Sequence, residues 1–235
     1  YKLAELAVEN PDHAILLRGQ SDDFRNHEGT YINPTAFRRD IPDLGAIETK
    51  INKAHELLCA AVAKNTDLPV KARAALAEPL IDQALLQHYE VVPTPWLDLT
   101  DLPHIAVFFA CRNPKRATVY AFAVPRNRIL YGIESPAKGL TCWSLASLCP
   151  APAPRPYYQR AFVLADINDD YPSISAFAVD LAPHLLCKFI LTESTVKGEM
   201  SYSFGTPQGT GIYPADYADP MLKVFRGVKD QMDAS

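Results

Sequence analysis

Glycine is scarce and the cysteines are unpaired in this 235-residue sequence. Ten glycines stand against twenty prolines, and the five cysteines fall singly at positions 59, 111, 142, 149 and 187. No CxxC pair and no cysteine–histidine ligand spacing occurs, which argues against structural zinc, and no metal is expected. Cys59, Cys111 and Cys187 lie inside apolar runs and read as small buried residues. A reducing compartment, the cytoplasm, is the expected setting. No stretch reads as a secretory leader, and no apolar run approaches the ~18 residues of a membrane span, so no membrane partner is expected. A cationic excess is missing as well. With 23 Lys and Arg against 27 Asp and Glu the net charge is -4, which excludes indiscriminate attraction to nucleic acid or lipid. The glycines around residues 198–214 lack both a P-loop lysine and dinucleotide spacing. A nucleophile elbow, a zinc helix and a kinase motif set are also absent.

What is present is a 48% hydrophobic chain able to bury a sizeable core, with prolines that fix many loops. Residues 14–18 form an apolar run ended by Gly19, which predicts a buried strand delivering Arg18 at its end. Asp43 is placed to cap a helix whose stripe is Leu44, Ile47, Ile51, Ala54, Leu58, Ala61 and Val62. Residues 69–89 predict two helical pieces divided near Pro79. Strands are expected at 117–124, 158–166 and 174–181. Residues 184–193 fit a helix or a strand, residues 198–214 a loop. A closing amphipathic helix starts at Asp219-Pro220. Helices and strands mix without regular βαβ alternation, so the class is α+β, in a single domain over residues 1–235.

The centre of the chain is residues 86–110. His88 shares an apolar helix face with Ile81, Ala84 and Leu85. A proline-punctuated extended segment carries Thr94, Asp98 and Thr100, and an apolar helix begins at Pro103. Thr100 or Asp101 is expected to cap that helix. Arg18, His88 with the 94–100 segment, and Gln159 stand at the ends of apolar elements, where folding could gather them in one cleft. Arg112, Lys115, Arg116, Arg126 and Arg128 form a basic cluster, either a solvated face or a patch for a phosphate-bearing ligand.

The order Leu17-Arg18-Gly19-Gln20-Ser21, residues 34–38, Gln87-His88-Tyr89, Pro93-Thr94-Pro95-Trp96-Leu97-Asp98-Leu99-Thr100 and residues 105–110 resembles the FRG domain family. That family is named for a Phe-Arg-Gly triplet, followed by a Gln-His-Tyr run, a Thr-Arg-Leu-Leu-Asp-Trp-Thr run and an apolar helix. Residues 155–162 are similar to its later arginine-and-glutamine strand. The resemblance is strongest over residues 13–165. Leu17 stands where the family has an aromatic residue, and Glu90 where it commonly has a glycine.

The family pattern in turn resembles that of ADP-ribosyltransferases. The resemblance implies a split pair of small β-sheets with flanking helices, clasping NAD as co-substrate. It implies Arg18, His88, Thr94 and Gln159 as catalytic residues. Gly19, Gln20, Arg38, Tyr89, Asp98 and Thr100 would join Arg18, His88 and Thr94 in binding NAD, with Asp98 fixing its segment from behind. Gln159 would replace the usual glutamate, with Glu193 and Glu199 ranked below it. The implied function is an NAD-dependent ADP-ribosyltransferase, such as a toxin, effector or anti-phage defence enzyme. Its acceptor would be a protein or nucleic acid, and an antitoxin protein could accompany it. The alternatives are a non-catalytic nucleotide-binding or sensing module on the same fold, and a nucleic-acid-processing enzyme built on the basic cluster.

Overall fold

The computed structural model describes residues 2–26, 29–37, 43–111, 117–134, 138–168, 177, 180–192 and 212–234. In chain order its elements are α1 (Lys2–Glu9), β1 (His13–Gln20), β2 (Arg25–Asn26), β3 (Gly29–Thr30), α2 (Leu44–Lys64), α3 (Val70–Ala75), α4 (Pro79–His88), β4 (Leu97–Thr100), α5 (Pro103–Ala110), β5 (Ala117–Pro125), β6 (Ile129–Leu130), β7 (Gly139–Ser144), α6 (Leu145–Leu148), α7 (Arg155–Tyr158), β8 (Ala161–Ile167), β9 (Leu185–Leu191) and α8 (Leu222–Asp233). The class is α+β. A seven-stranded sheet runs β6-β7-β8-β4-β1-β5-β9, antiparallel except at β6–β7, and β2-β3 is a separate ribbon.

The sheet is unevenly joined. β1 pairs with β5 over eight positions, from His13↔Pro125 to Gln20↔Thr118, and β7 pairs with β8 over six. β1 and β4 meet at a single position, Leu17↔Thr100. The sheet therefore consists of a half β6-β7-β8-β4 and a half β1-β5-β9, held together at one pair. The resemblance implies two small sheets; seven of the described strands form one sheet, its join reduced to this point, and apart from it stands only the two-stranded β2-β3 ribbon.

Side-chain alternation divides the core. Along β8, Ala161, Val163, Ala165 and Ile167 face the layer of α2, α4 and α8, where Leu58, Ile81, Leu85 and Phe225 are fully covered. Leu164 points to the other face with Leu97 and Leu99 of β4 and Leu16 of β1. The β1–β5 half is covered by α5, through Leu17, Val119 and Ala121 against Ala106 and Ala110. Gly19 makes that cover possible. A Cβ there would stand 1.8 Å from the Ala106 carbonyl oxygen and 2.6 Å from the Ala110 nitrogen, so the helix backbone lies directly on the strand.

Most elements fall where periodicity puts them. Asp43 caps α2 by accepting from the Ala46 N–H at 3.0 Å, and Pro79 starts α4 at a position where its missing N–H costs nothing. Two expectations change. The strand expected from Tyr158 starts at Ala161, because Pro154 and Pro156 set up the helical turn α7, and Gln159 ends that turn instead of lying on a strand. Residues 185–191, open between helix and strand, are a strand because they pair along β5. Most of the expected strand 174–181 and nearly all of the loop 198–214 lie outside the described residues.

Candidate functional site

Beyond Leu17↔Thr100 the two halves of the sheet part, and a cleft of about 440 Å³ opens between them. β1 contributes Arg18, Gly19 and Gln20, and β4 contributes Asp98, Leu99 and Thr100. α4 adds Gln87 and His88, and Gln159 comes from the end of α7. Phe24, Phe109 and Tyr213 supply aromatic wall.

Arg18 sits at the point of division. Its Nη1 donates to the Asp98 carbonyl oxygen at 2.9 Å, and its Nε to Gln20 Oε1 at 3.3 Å. A guanidinium held at both Nε and Nη1 keeps its orientation and presents a fixed positive charge to the cleft, which suits an anionic group such as a phosphate. Gln20 is buried and lines the same wall.

His88 is nearly enclosed, with 4% of its side chain exposed, and its Nδ1 lies 3.0 Å from Gln159 Oε1. Gln159 is held in turn, because its carbonyl accepts from Thr100 Oγ1 at 2.7 Å. Across the cleft wall, His88 Nε2 stands 3.7 Å from Asp98 Oδ1. Neither atom has a hydrogen-bond partner. The second carboxylate oxygen of Asp98 accepts from Gln87 Nε2.

Residues 14–118 match the family model of the FRG domain. This stretch is an FRG domain. No curated protein and no solved structure matches the chain. The FRG domain holds Arg18, His88 and Asp98, whereas Gln159 and α8 lie beyond its matched residues.

Within the FRG domain the structure separates cleft residues from residues that brace them. Asp98 lines the cleft and is at the same time tied to its neighbours, since Gln87 Nε2 donates to its Oδ2. Thr94 is fully buried and does not line the cleft; its hydroxyl and its N–H both donate to Gln87 Oε1, at 2.6 and 3.2 Å. Tyr89 also lies off the cleft. Its ring stacks on Phe225 at 4.1 Å and its hydroxyl donates to Asp219 Oδ1 at 2.8 Å. Burial, with the Asp219 carboxylate next, pushes its phenol far above the ordinary value, so it is a fixed donor. Gly19 lines the cleft, yet its lack of a side chain is required by α5. Thr100 also lines it, with its hydroxyl occupied by the Gln159 carbonyl and the Leu102 N–H. Neither Thr100 nor Asp101 caps α5 as expected: the N-cap is Leu102, with no side-chain cap bond, because the Thr100 hydroxyl accepts from the Leu102 N–H outside the helix and Asp101 pairs with Arg160. Arg38, Glu193 and Glu199 lie outside the described residues, as do Arg112, Lys115 and Arg116. Arg126 and Arg128 bond the Pro11 and Lys138 carbonyls.

Two bracing residues escaped the sequence reading. Gln87 ties α4 to Thr94, Trp96 and Asp98. Its only signal is adjacency to His88 in the Gln-His-Tyr run. Arg155 donates to the His88 carbonyl at 3.1 Å and to Asp219 Oδ2 at 3.2 Å, with its guanidinium 4.3 Å above the Tyr89 ring. Asp219 is 130 residues from Tyr89, and no local pattern announces such a link. Among the described residues, no group of three or more His, Cys, Asp or Glu side chains is placed to hold a metal ion, and no helix is long and apolar enough to cross a membrane.

Proposed function

We propose that this protein is an NAD-dependent ADP-ribosyltransferase acting on a macromolecular acceptor. The observation that carries this is Arg18: it stands where the two sheet halves divide, with its guanidinium fixed to Asp98 and Gln20 at the edge of a cleft that also holds His88. The single-pair join supports a split-sheet ancestry for the fold. Arg18 would grip the pyrophosphate of NAD through charge-assisted bonds. Phe24 and Phe109 offer apolar surface for a planar ring. His88 would bind a hydroxyl of the nicotinamide-side ribose.

In the reaction the nicotinamide–ribose bond breaks and nicotinamide leaves with the electron pair. The acceptor nucleophile attacks the resulting oxocarbenium-like carbon and loses its proton. Negative charge beside that carbon stabilises the transition state. The carboxylates on the described cleft wall are Asp98 and Glu90.

The test is incubation of the purified chain with a cell extract and NAD labelled in its adenylate phosphate. Label is expected in the protein or the nucleic-acid fraction, with nicotinamide released, and neither is expected with Arg18→Ala. Absence of both signals from the folded wild-type chain overturns the proposal.

A further inference from the structure

We infer that residues 212–221, which lead into α8, are coupled to the cleft, and that Arg155 is the positioning residue through which they act on it. The inference deepens the transferase proposal and rests on it for the NAD arm of its test.

Arg155 lies off the cleft, yet three residues of the cleft wall are held by it. Its Nη1 donates to the carbonyl of His88 at 3.1 Å, on the last turn of α4. Its own carbonyl accepts from the Gln159 N–H at 3.0 Å, where α7 ends. Its guanidinium carbon stands 4.3 Å from the centre of the Tyr89 ring and 5.0 Å from that of Tyr213, within cation–π reach of both. His88, Gln159 and Tyr213 all line the cleft. They come from three separate parts of the chain, and one side chain sets their mutual position.

That side chain is fixed in turn by residues 212–221. Arg155 Nε donates to Asp219 Oδ2 at 3.2 Å, and Asp219 Oδ1 accepts from the Tyr89 hydroxyl at 2.8 Å. Only 13% of the Arg155 side chain and 1% of the Asp219 side chain is exposed. Moving either partner away would leave a buried charge uncompensated, so the two move together. The same segment reaches α5 as well: Ile212 is buried against Ile105, and the Tyr213 ring lies 6.2 Å from that of Phe108. It therefore touches both helices that flank the cleft. The contacts run unbroken from Asp219 through Arg155 to His88 and Tyr213. A displaced Asp219 releases cleft residues, and a ligand that fixes those residues fixes Asp219, because coupling between two sites is reciprocal. Arg155 and Asp219 lie beyond residues 14–118, so the FRG domain carries His88 but not what positions it.

The test uses the full chain, NAD as the probe and two variants at residues off the cleft. Arg155→Lys keeps a charge for Asp219 but loses the planar fork. Asp219→Asn keeps an acceptor for Tyr89 but loses the charge. Where either fails to fold, Tyr89→Phe, which removes only the hydroxyl on Asp219, replaces it. NAD should slow amide hydrogen exchange across residues 212–222 of the wild-type chain. Each variant, at a temperature where it is fully folded, should bind NAD at least about fivefold more weakly and lose that protection. A packing role alone would lower Tm and leave affinity and protection as in the wild type; this result overturns the inference and leaves the transferase proposal intact. If the wild-type chain does not bind NAD, that proposal ends and the ring resonances of His88 in the ligand-free chains decide. They should shift in the variants, and resonances that match the wild type overturn the inference.

Discussion

Arg18 and Asp98 are joined through the main chain: the guanidinium Nη1 donates to the Asp98 carbonyl at 2.9 Å, next to the only β1–β4 register pair, Leu17↔Thr100. A side chain takes over where a strand ladder stops. The arginine therefore closes the floor of the cleft and presents charge to it at once.

The approach of α5 to β1 gives the sharpest structural prediction. Gly19→Ala puts a methyl group 1.8 Å from a backbone oxygen, and a backbone cannot step aside as a flexible side chain can. The variant should lose about 1–3 kcal/mol or more, as overpacked cores do. Urea unfolding measures it, and an unchanged midpoint would mean that α5 does not press on β1.

Glu90 has φ 58, a left-handed conformation that burdens any residue with a Cβ. Glu90→Gly should raise stability by up to about 1 kcal/mol, the steric relief being partly offset by a more flexible unfolded chain. A rise in Tm is the expected readout, and a fall would show that the glutamate side chain contributes more than its backbone strain costs.

His88 is both a bracing point and a cleft residue, and two substitutions separate these roles. His88→Ala removes the contact to Gln159 and the atom facing Asp98. It should weaken NAD binding by about tenfold or more, in line with the loss of a buried hydrogen-bonding group. His88→Gln keeps a polar group of similar reach and should retain more affinity. Equal affinity in both variants, with a lowered Tm alone, would make His88 a packing residue.

Asp23 makes stability depend on acid. Burial alone would raise its carboxyl, but hydrogen bonds from Lys188, Arg25 and Tyr120 outweigh that and hold it at about 2, against an ordinary 3.8. A carboxyl depressed in the folded chain stabilises it fully above the unfolded value. That contribution, on the order of 2 kcal/mol, fades as pH falls from about 4 towards 2. Asp23→Asn should lower stability at pH 7 and flatten the acid limb of a urea-unfolding series. Parallel pH profiles for the two chains would contradict this.

The elements most legible in the sequence are those with local causes. The stripe from Leu44 to Val62, the Asp43 cap, Pro79 and Pro103 each act within a turn or two, and α2, α4 and α5 follow. The strand 185–191 stayed ambiguous because only pairing along β5 decides it. At the site, Arg18, Gln20 and His88 are legible as cleft residues through their order in the FRG pattern, whereas Gln159 lies beyond the matched residues. The places of Thr94 and Tyr89 are not legible, because their partners are set by folding: Gln87 claims one hydroxyl, and Asp219 the other from across the chain.

Equilibrium titration of NAD into the purified wild-type chain and into Arg18→Lys tests the central claim most directly. Binding at one site is expected for the wild type. Lysine keeps the charge but not the planar fork, so affinity should fall by at least about tenfold at little cost in Tm. NAD binding by a folded Arg18→Lys chain as tightly as by the wild type would contradict the account.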